Sequence, residues 1–188
     1  MNIKRPIILA SGSPRRRQLL TELGFDFVVK TKNTDESFPE TMPVQEVPLF
    51  LAEKKANAFA SEISDEILIA ADTVVIIDNK ILNKPAHKAE AFAMLHLLSG
   101  RKHEVITGVC LLSATKKVLF SDLAEVFFRD LSDSEVEFYV EKYQPFDKAG
   151  AYGAQEWMGM VGIEKIIGSY FNVMGLPVHK LYQELMRF

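Results

Sequence analysis

Residues 67–85 read ILIAADTVVIIDNKILNKP, and the first ten of them are apolar except for the adjacent pair Asp72 and Thr73. A continuous run of Ile, Leu, Val and Ala is the pattern of a strand covered on both faces. A carboxylate in the middle of such a strand costs on the order of several kcal/mol unless a cation, a hydrogen-bond cluster or a water-filled cleft receives it. Downstream, Asp78-Asn79 signals a tight turn, and the short apolar return Ile81-Leu82 is expected to carry Lys84-Pro85 back toward Asp72. From this segment alone two readings stand: a strand-end carboxylate with a structural lysine, or an acid and a base placed together for chemistry.

Upstream, Pro6 to Ala10 reads as a short buried strand that runs into Ser11-Gly12-Ser13-Pro14 and then Arg15-Arg16-Arg17. Ser13 as N-cap with Pro14 at the first helical position starts a helix, with Leu19, Leu20 and Leu23 on its buried side and Gly24 as its stop. The arginines oppose the helix dipole rather than complement it, so an anion is the expected missing partner. The alternative is a capped helix with a solvated arginine face. The spacing is not that of a Walker A loop.

The rest of the chain alternates strands and helices. Phe25 to Lys30 reads as a second strand, and Thr31 to Glu46 as a polar loop carrying Asp35, Glu36, Glu40 and Glu46. Pro48 to Ser61 reads as a helix with Leu51, Lys54, Lys55, Ala58 and Phe59 at helical spacings, and Ala89 to Ser99 as another with Ala91, Met94, Leu95 and Leu98 on one stripe. His103 to Leu112 and Val118 to Arg129 are expected to be long paired strands, and Ser132 to Glu135 a capping box before the stripe Val136, Tyr139, Val140 and Tyr143. Pro145 to Gln155 is a glycine-punctuated loop holding Asp147, Lys148 and Gln155; Met160 to Ile166 is expected to be a strand, and Pro177 to open a last helix. This intermixture predicts an α/β class with a mixed sheet.

With 188 residues, 48% of them hydrophobic, the chain fits a single domain or a compact two-lobed one. A net charge of -3 argues against a broad cationic face for nucleic acid and leaves room for a local basic pocket and a small anionic ligand. The lone cysteine, Cys110, forms no intrachain disulfide and reads as a small core thiol. His87, His96, His103 and His179 lack paired ligand spacing, against a structural zinc site. The apolar run Ile7 to Ala10 is too short for a signal-peptide core, and no window approaches a membrane span, so a reducing cytoplasm is expected.

Taken together, ASGSPRRRQLL, the Asp35-Glu36 pair, LAEKKA, AADTVV, Lys84-Pro85, GRKHEVITGV, PFDKAGAYGAQ and GSYFNVMGLPV resemble the Maf family of nucleotide pyrophosphatases, in order from Ile7 to about Val178. The resemblance implies one Maf-like domain over residues 1–188. Its fold would be similar to that of inosine triphosphate pyrophosphatases, a twisted mixed sheet in two lobes with a central groove. It also implies divalent-metal dependence, a nucleotide as the small-molecule substrate and a possible homodimer. Asp72 matches the catalytic acid, the proton acceptor for the attacking water. Ser13, Arg15, Glu36, Lys55, Lys84 and Lys148 match the phosphate and metal end, with Asp72 and Glu36 as the metal carboxylates. Arg15, Thr73 and Gln155 match the positions that distinguish pyrimidine substrates in the dTTP/UTP subfamily. Where the family has glycine after that glutamine, this chain has Glu156, followed by Trp157.

These residue types suit the implied chemistry. Hydrolysis between α- and β-phosphates needs a positioned water, a carboxylate to take its proton or hold a metal, and cations to neutralise the leaving pyrophosphate. Mg²⁺ or Mn²⁺ held by few carboxylates plus substrate oxygens fits a site offering Asp72 and Glu36. The expected function is conversion of dTTP or UTP to monophosphate and pyrophosphate. The alternatives are a non-catalytic nucleotide-binding regulator of septum formation, and a pyrophosphatase for modified purines such as 7-methyl-GTP.

Overall fold

The computed structural model describes Ile3 and residues 5–188; the reading of the extreme amino terminus falls partly on Met1, Asn2 and Lys4, outside the described residues. Strand β1 (Ile7–Leu9) is fully buried and leads through Ser11, Gly12 and Ser13 into α1 (Pro14–Glu22). The cap is as expected: the Ser13 hydroxyl accepts from the Arg16 N–H, and Leu19 and Leu20 are buried. Strand β2 (Phe27–Val29) returns parallel to β1, placing Phe27 opposite Ile7 and Val29 opposite Leu9. Helix α2 (Val47–Asn57) buries Leu51, Ala52 and Ala56. It is shorter than the expected helix to Ser61, because the chain tightens into a 3-10 turn at Ala60–Glu62 beside the buried ring of Phe59.

Strand β3 (Ile67–Ile77) is the decisive run. Every residue in it is buried except Asp72 and Thr73, so the two polar residues that interrupt the apolar pattern are the two at which the strand opens to solvent. It lies parallel to β1, with Ile7 opposite Ile67 and Leu9 opposite Ile69. Asp78 and Asn79 both adopt left-handed backbone, φ 50 and 57, the geometry of a tight hairpin turn. β4 (Lys80–Leu82) then pairs antiparallel with β3, Leu82 opposite Val75.

Helix α3 (Lys88–Leu98) buries Ala91, Met94, Leu95 and Leu98, the expected stripe. β5 (Lys102–Leu112) and β6 (Lys117–Phe128) are joined by a turn in which the Ser113 N–H donates to the Lys116 carbonyl at 2.8 Å. Helix α4 (Asp133–Tyr143) carries the complete Ser132–Glu135 capping box and buries Val136, Tyr139 and Val140. The strand expected over Met160 to Ile166 is corrected: α5 (Trp157–Gly162) comes first, and only then β7 (Ile163–Ile167), antiparallel to β6. Periodicity cannot separate a short buried helix from a strand in such an apolar run. A Cβ at Gly159 would lie 1.9 Å from the Ala154 carbonyl oxygen, so the helix packs against residue 154 through a bare backbone. Helix α6 (Tyr170–Met174), not anticipated, and α7 (Val178–Arg187) complete the chain.

The sheet order among the described residues is β2-β1-β3-β5-β6-β7, with β4 attached to β3, so the expected mixed α/β architecture is observed. The chain forms two compact units, one made of the residues through Thr73 with Thr107–Asp122 and Gly175–Phe188, the other of Val74–Ile106 and Leu123–Met174. The first unit has a core of Ile8, Ala52, Ala56, Phe59, Leu68 and Cys110, in which burial pushes the Cys110 thiol up to about 12. α2 meets β5 so closely that a Cβ at Gly108 would fall 2.4 Å from the Leu49 backbone, which pins the helix carrying Lys54 and Lys55. The second unit is built on Leu95, Leu98, Val105, Val126, Phe128 and Tyr139. Within it, His103 Nε2 and the Tyr152 hydroxyl lie 2.7 Å apart, and burial holds the imidazole pKa down at about 3, so this histidine is a neutral core residue. No helix among the described residues is long and apolar enough to cross a membrane.

Candidate functional site

Ile69 is the last β3 residue paired with β1, and Asp72 lies three residues beyond it. β1 leaves the sheet at the same end, into Ser11 and Ser13. The carboxyl end of parallel strands is where α/β sheets leave room for ligands. The Asp72 side chain is only 14% exposed and needs a cation, which is Lys55 of α2, with Nζ 2.6 Å from Oδ1. The same ammonium reaches Glu36 Oε1 at 2.7 Å. One lysine thus bridges a carboxylate from the middle of β3 and one from the 31–46 loop. The cation on Asp72 is therefore not the one expected from the hairpin. Pairing of β3 with β4 ends at Val75 and Leu82, before the hairpin reaches the level of Asp72.

The neighbouring residues make a second, exposed pair: Lys54 Nζ lies 2.8 Å from Asp35 Oδ2. Consecutive residues on a helix point about 100° apart, so Lys54 and Lys55 face different ways. The hydrogen bond from Lys54, and then those from the Ser37 hydroxyl and N–H, hold the Asp35 carboxyl well below the usual range. Of the two adjacent acids, it is Glu36 that joins Asp72.

A residue that sequence reasoning did not single out organises the same unit. The Arg16 guanidinium donates from Nε to the Gly175 carbonyl at 2.7 Å, from Nη1 to the Ala71 carbonyl at 2.8 Å, and from Nη2 to Thr73 Oγ1 at 2.9 Å. Burial lowers its pKa, the Asp72 charge raises it, Arg15 lowers it and Glu36 raises it. The expectation that the arginine-rich first turn awaits an anion is corrected for Arg16, whose partners are protein oxygens. Three consecutive arginines offer no local signal of which one turns inward; the acceptors lie up to 159 residues away. Thr73 Oγ1 also lies 2.9 Å from Thr107 Oγ1, so its hydroxyl is engaged inside this network. Ser13 caps α1, and Arg15 sits half-exposed in the first turn.

Lys84, Lys148 and Gln155 belong to the second unit. Lys84 is exposed in the loop after β4. Lys148 is 7% exposed, and its ammonium is held between Asp147 Oδ1 at 2.6 Å and Glu156 Oε1 at 3.0 Å. Glu156 Oε2 accepts from the Tyr139 hydroxyl at 2.5 Å, and that hydroxyl accepts from the Gly153 N–H at 3.1 Å. Burial, reinforced by the bond to Glu156, pushes the Tyr139 pKa far above its ordinary value. Gln155 Oε1 is buried and has no hydrogen-bond partner among the described residues.

Among the described residues no three His, Cys, Asp or Glu side chains gather in a metal-binding group; at β3 the carboxylates of Asp72 and Glu36 share the Lys55 ammonium. Two carboxylates around one ammonium suit a hard cation that takes its other ligands from water and phosphate oxygens.

The arrangement of strands and helices has a solved counterpart. The Ham1 protein of Staphylococcus aureus matches 84% of this chain and 91% of its own, with a TM-score of 0.51 at 15% identity, a likeness of fold. Sequence narrows the class further. The profile described as Maf-like protein matches residues 6–188, and the chain belongs to the Maf family. A dTTP/UTP pyrophosphatase of Bacteroides fragilis is 53% identical over 181 residues, covering 95% of this chain and 94% of that protein. One of Parabacteroides distasonis is 50% identical over 190 residues, covering 100% of this chain and 98% of that protein.

Proposed function

We propose that this chain hydrolyses dTTP and UTP to the nucleoside monophosphate and pyrophosphate. The observation that carries the reading is the Asp72–Lys55–Glu36 cluster at the open point of an otherwise buried strand. Water attacks the α-phosphorus, the bond from that phosphorus to the bridging oxygen breaks, and pyrophosphate leaves with the bond's electrons. Asp72 is the acceptor for the water proton, and Lys55, which already lies on Asp72, orients that carboxylate and offsets charge on the phosphates. Asp72 and Glu36 are the residues that would hold Mg²⁺ or Mn²⁺, which when bound would neutralise phosphate charge. Removing divalent ions with a chelator is expected to abolish turnover while the thermal midpoint stays unchanged; full turnover after exhaustive chelation would leave neutralisation to the lysines and arginines alone.

For the base, the support is the buried, unpartnered Gln155 Oε1 together with the names of the relatives. Thymine and uracil present a donor at N3 between two acceptors, which matches a side-chain amide; cytosine presents an acceptor at N3 and a donor at N4. A buried mismatch costs about 1–3 kcal/mol per group, hence roughly tenfold to a hundredfold in selectivity. The test is product identification on a nucleotide panel, with kcat/KM for UTP over CTP measured in the wild type and in Gln155→Ala. A ratio near one in the wild type, or one untouched by the substitution, removes Gln155 from base recognition. Release of orthophosphate and a diphosphate, instead of pyrophosphate, overturns the reaction itself.

A further inference from the structure

Glu156 stands where the sequence departs from the pattern it otherwise resembles, and both of its carboxylate oxygens are engaged. One carboxylate oxygen holds the Lys148 ammonium and the other holds the Tyr139 hydroxyl, which in turn binds the Gly153 N–H. Its own backbone N–H donates to the Gly153 carbonyl at 3.1 Å, closing a turn over residues 153–156. The turn's own side chains fold back over it: a Cβ at Gly153 would meet Glu156 Cδ at 3.0 Å and Gln155 Nε2 at 3.2 Å. The hydroxyl that fixes this turn comes from a fully buried tyrosine within α4. Gln155 lies between the two clamped residues.

We infer that Glu156 and Tyr139 are positioning residues that hold the Gly153–Glu156 turn, and with it the Gln155 amide, in the orientation that reads the base. This rests on the assignment of Gln155 to base recognition. A carboxylate serving only as counter-ion to Lys148 would act on the phosphates, and these are common to every nucleotide. Its loss would then change KM for UTP and CTP alike. A clamp on Gln155 instead changes their ratio.

The experiment compares Tyr139→Phe, Glu156→Ala, Glu156→Gln and the double variant Tyr139→Phe/Glu156→Ala with the wild type. Two measurements are made: amide hydrogen exchange of the segment containing Gly153, and kcat/KM for UTP over CTP. Tyr139→Phe keeps the ring and removes the hydroxyl, so its exchange is expected to rise about three- to tenfold. The UTP over CTP ratio is expected to fall by about tenfold in Tyr139→Phe and in Glu156→Ala, and no further in the double variant, since both break one chain of bonds. Glu156→Gln, which keeps an oxygen for the tyrosine hydroxyl, is expected to retain most of the selectivity. A ratio that survives in both Tyr139→Phe and Glu156→Ala, or losses that add in the double variant, overturns the inference. If the wild type itself fails to prefer UTP, the reading of Gln155 fails instead. The exchange arm then decides the clamp, with unchanged protection in Tyr139→Phe ruling it out.

Discussion

Asp72→Asn is expected to lower kcat with dTTP by about two orders of magnitude or more while leaving the protein folded. Asparagine is nearly isosteric with aspartate and keeps an oxygen that Lys55 can reach, as Oδ1 does now at 2.6 Å. Glu36 remains as a full counter-charge for the same ammonium at 2.7 Å, so the substitution strands no cation. What it removes is basicity: an amide takes no proton from water and is a poor ligand for a hard cation. Because a negative charge beside a polyphosphate also disappears, KM is expected to stay level or fall, which separates a lost chemical step from lost binding. The check is steady-state kinetics beside a thermal melt. Turnover within about threefold of wild type, with an unchanged melt, would make Asp72 a structural carboxylate and return β3 to the simpler of its two readings.

Much of the fold was legible because it is encoded in patterns a few residues long. The apolar run of β3 with its two-residue interruption, the stripe of α3, the Ser13-Pro14 cap and the capping box at Ser132 are each complete within a dozen positions. α5 and α6 were not legible, since helices of six and five residues are too short to show a period. The candidate site divides in the same way. Asp72 stands out against its own strand. That Lys55 rather than Lys54 meets it depends on the rotation of α2, which Gly108 and the Leu49 backbone set from another element. Glu156 read as a disturbance of its loop, because its partners Tyr139 and Lys148 stand 17 and 8 positions earlier and nothing local pairs them.

Arg16 is the extreme of that limitation, and its replacement is expected to have the largest effect on stability. Its guanidinium is the shared donor for the Ala71 carbonyl in β3 and the Gly175 carbonyl before α7, and both residues are buried. Gly175 holds φ at +112, a conformation that a residue with a Cβ would strain to adopt. Truncation at Arg16 takes a charged donor from two buried carbonyls, at about 1–3 kcal/mol each, leaves Gly175 with the contact from Thr73 Oγ1 at 3.5 Å, and removes a donor from the Thr73–Thr107 pair. Arg16→Ala is therefore expected to destabilise by about 2–5 kcal/mol, which lowers the thermal midpoint by roughly 5–15 °C for a chain of this size. Arg16→Lys is expected to recover only a small part, since one ammonium on a flexible stem cannot reproduce a planar fork reaching Ala71, Thr73 and Gly175 at once. Arg17→Ala, one position on and exposed, is the matched control and is expected to change stability by less than about 0.5 kcal/mol. Chemical denaturation of the three variants decides it: equal midpoints for Arg16→Ala and Arg17→Ala would mean that water satisfies those carbonyls as well as the arginine does.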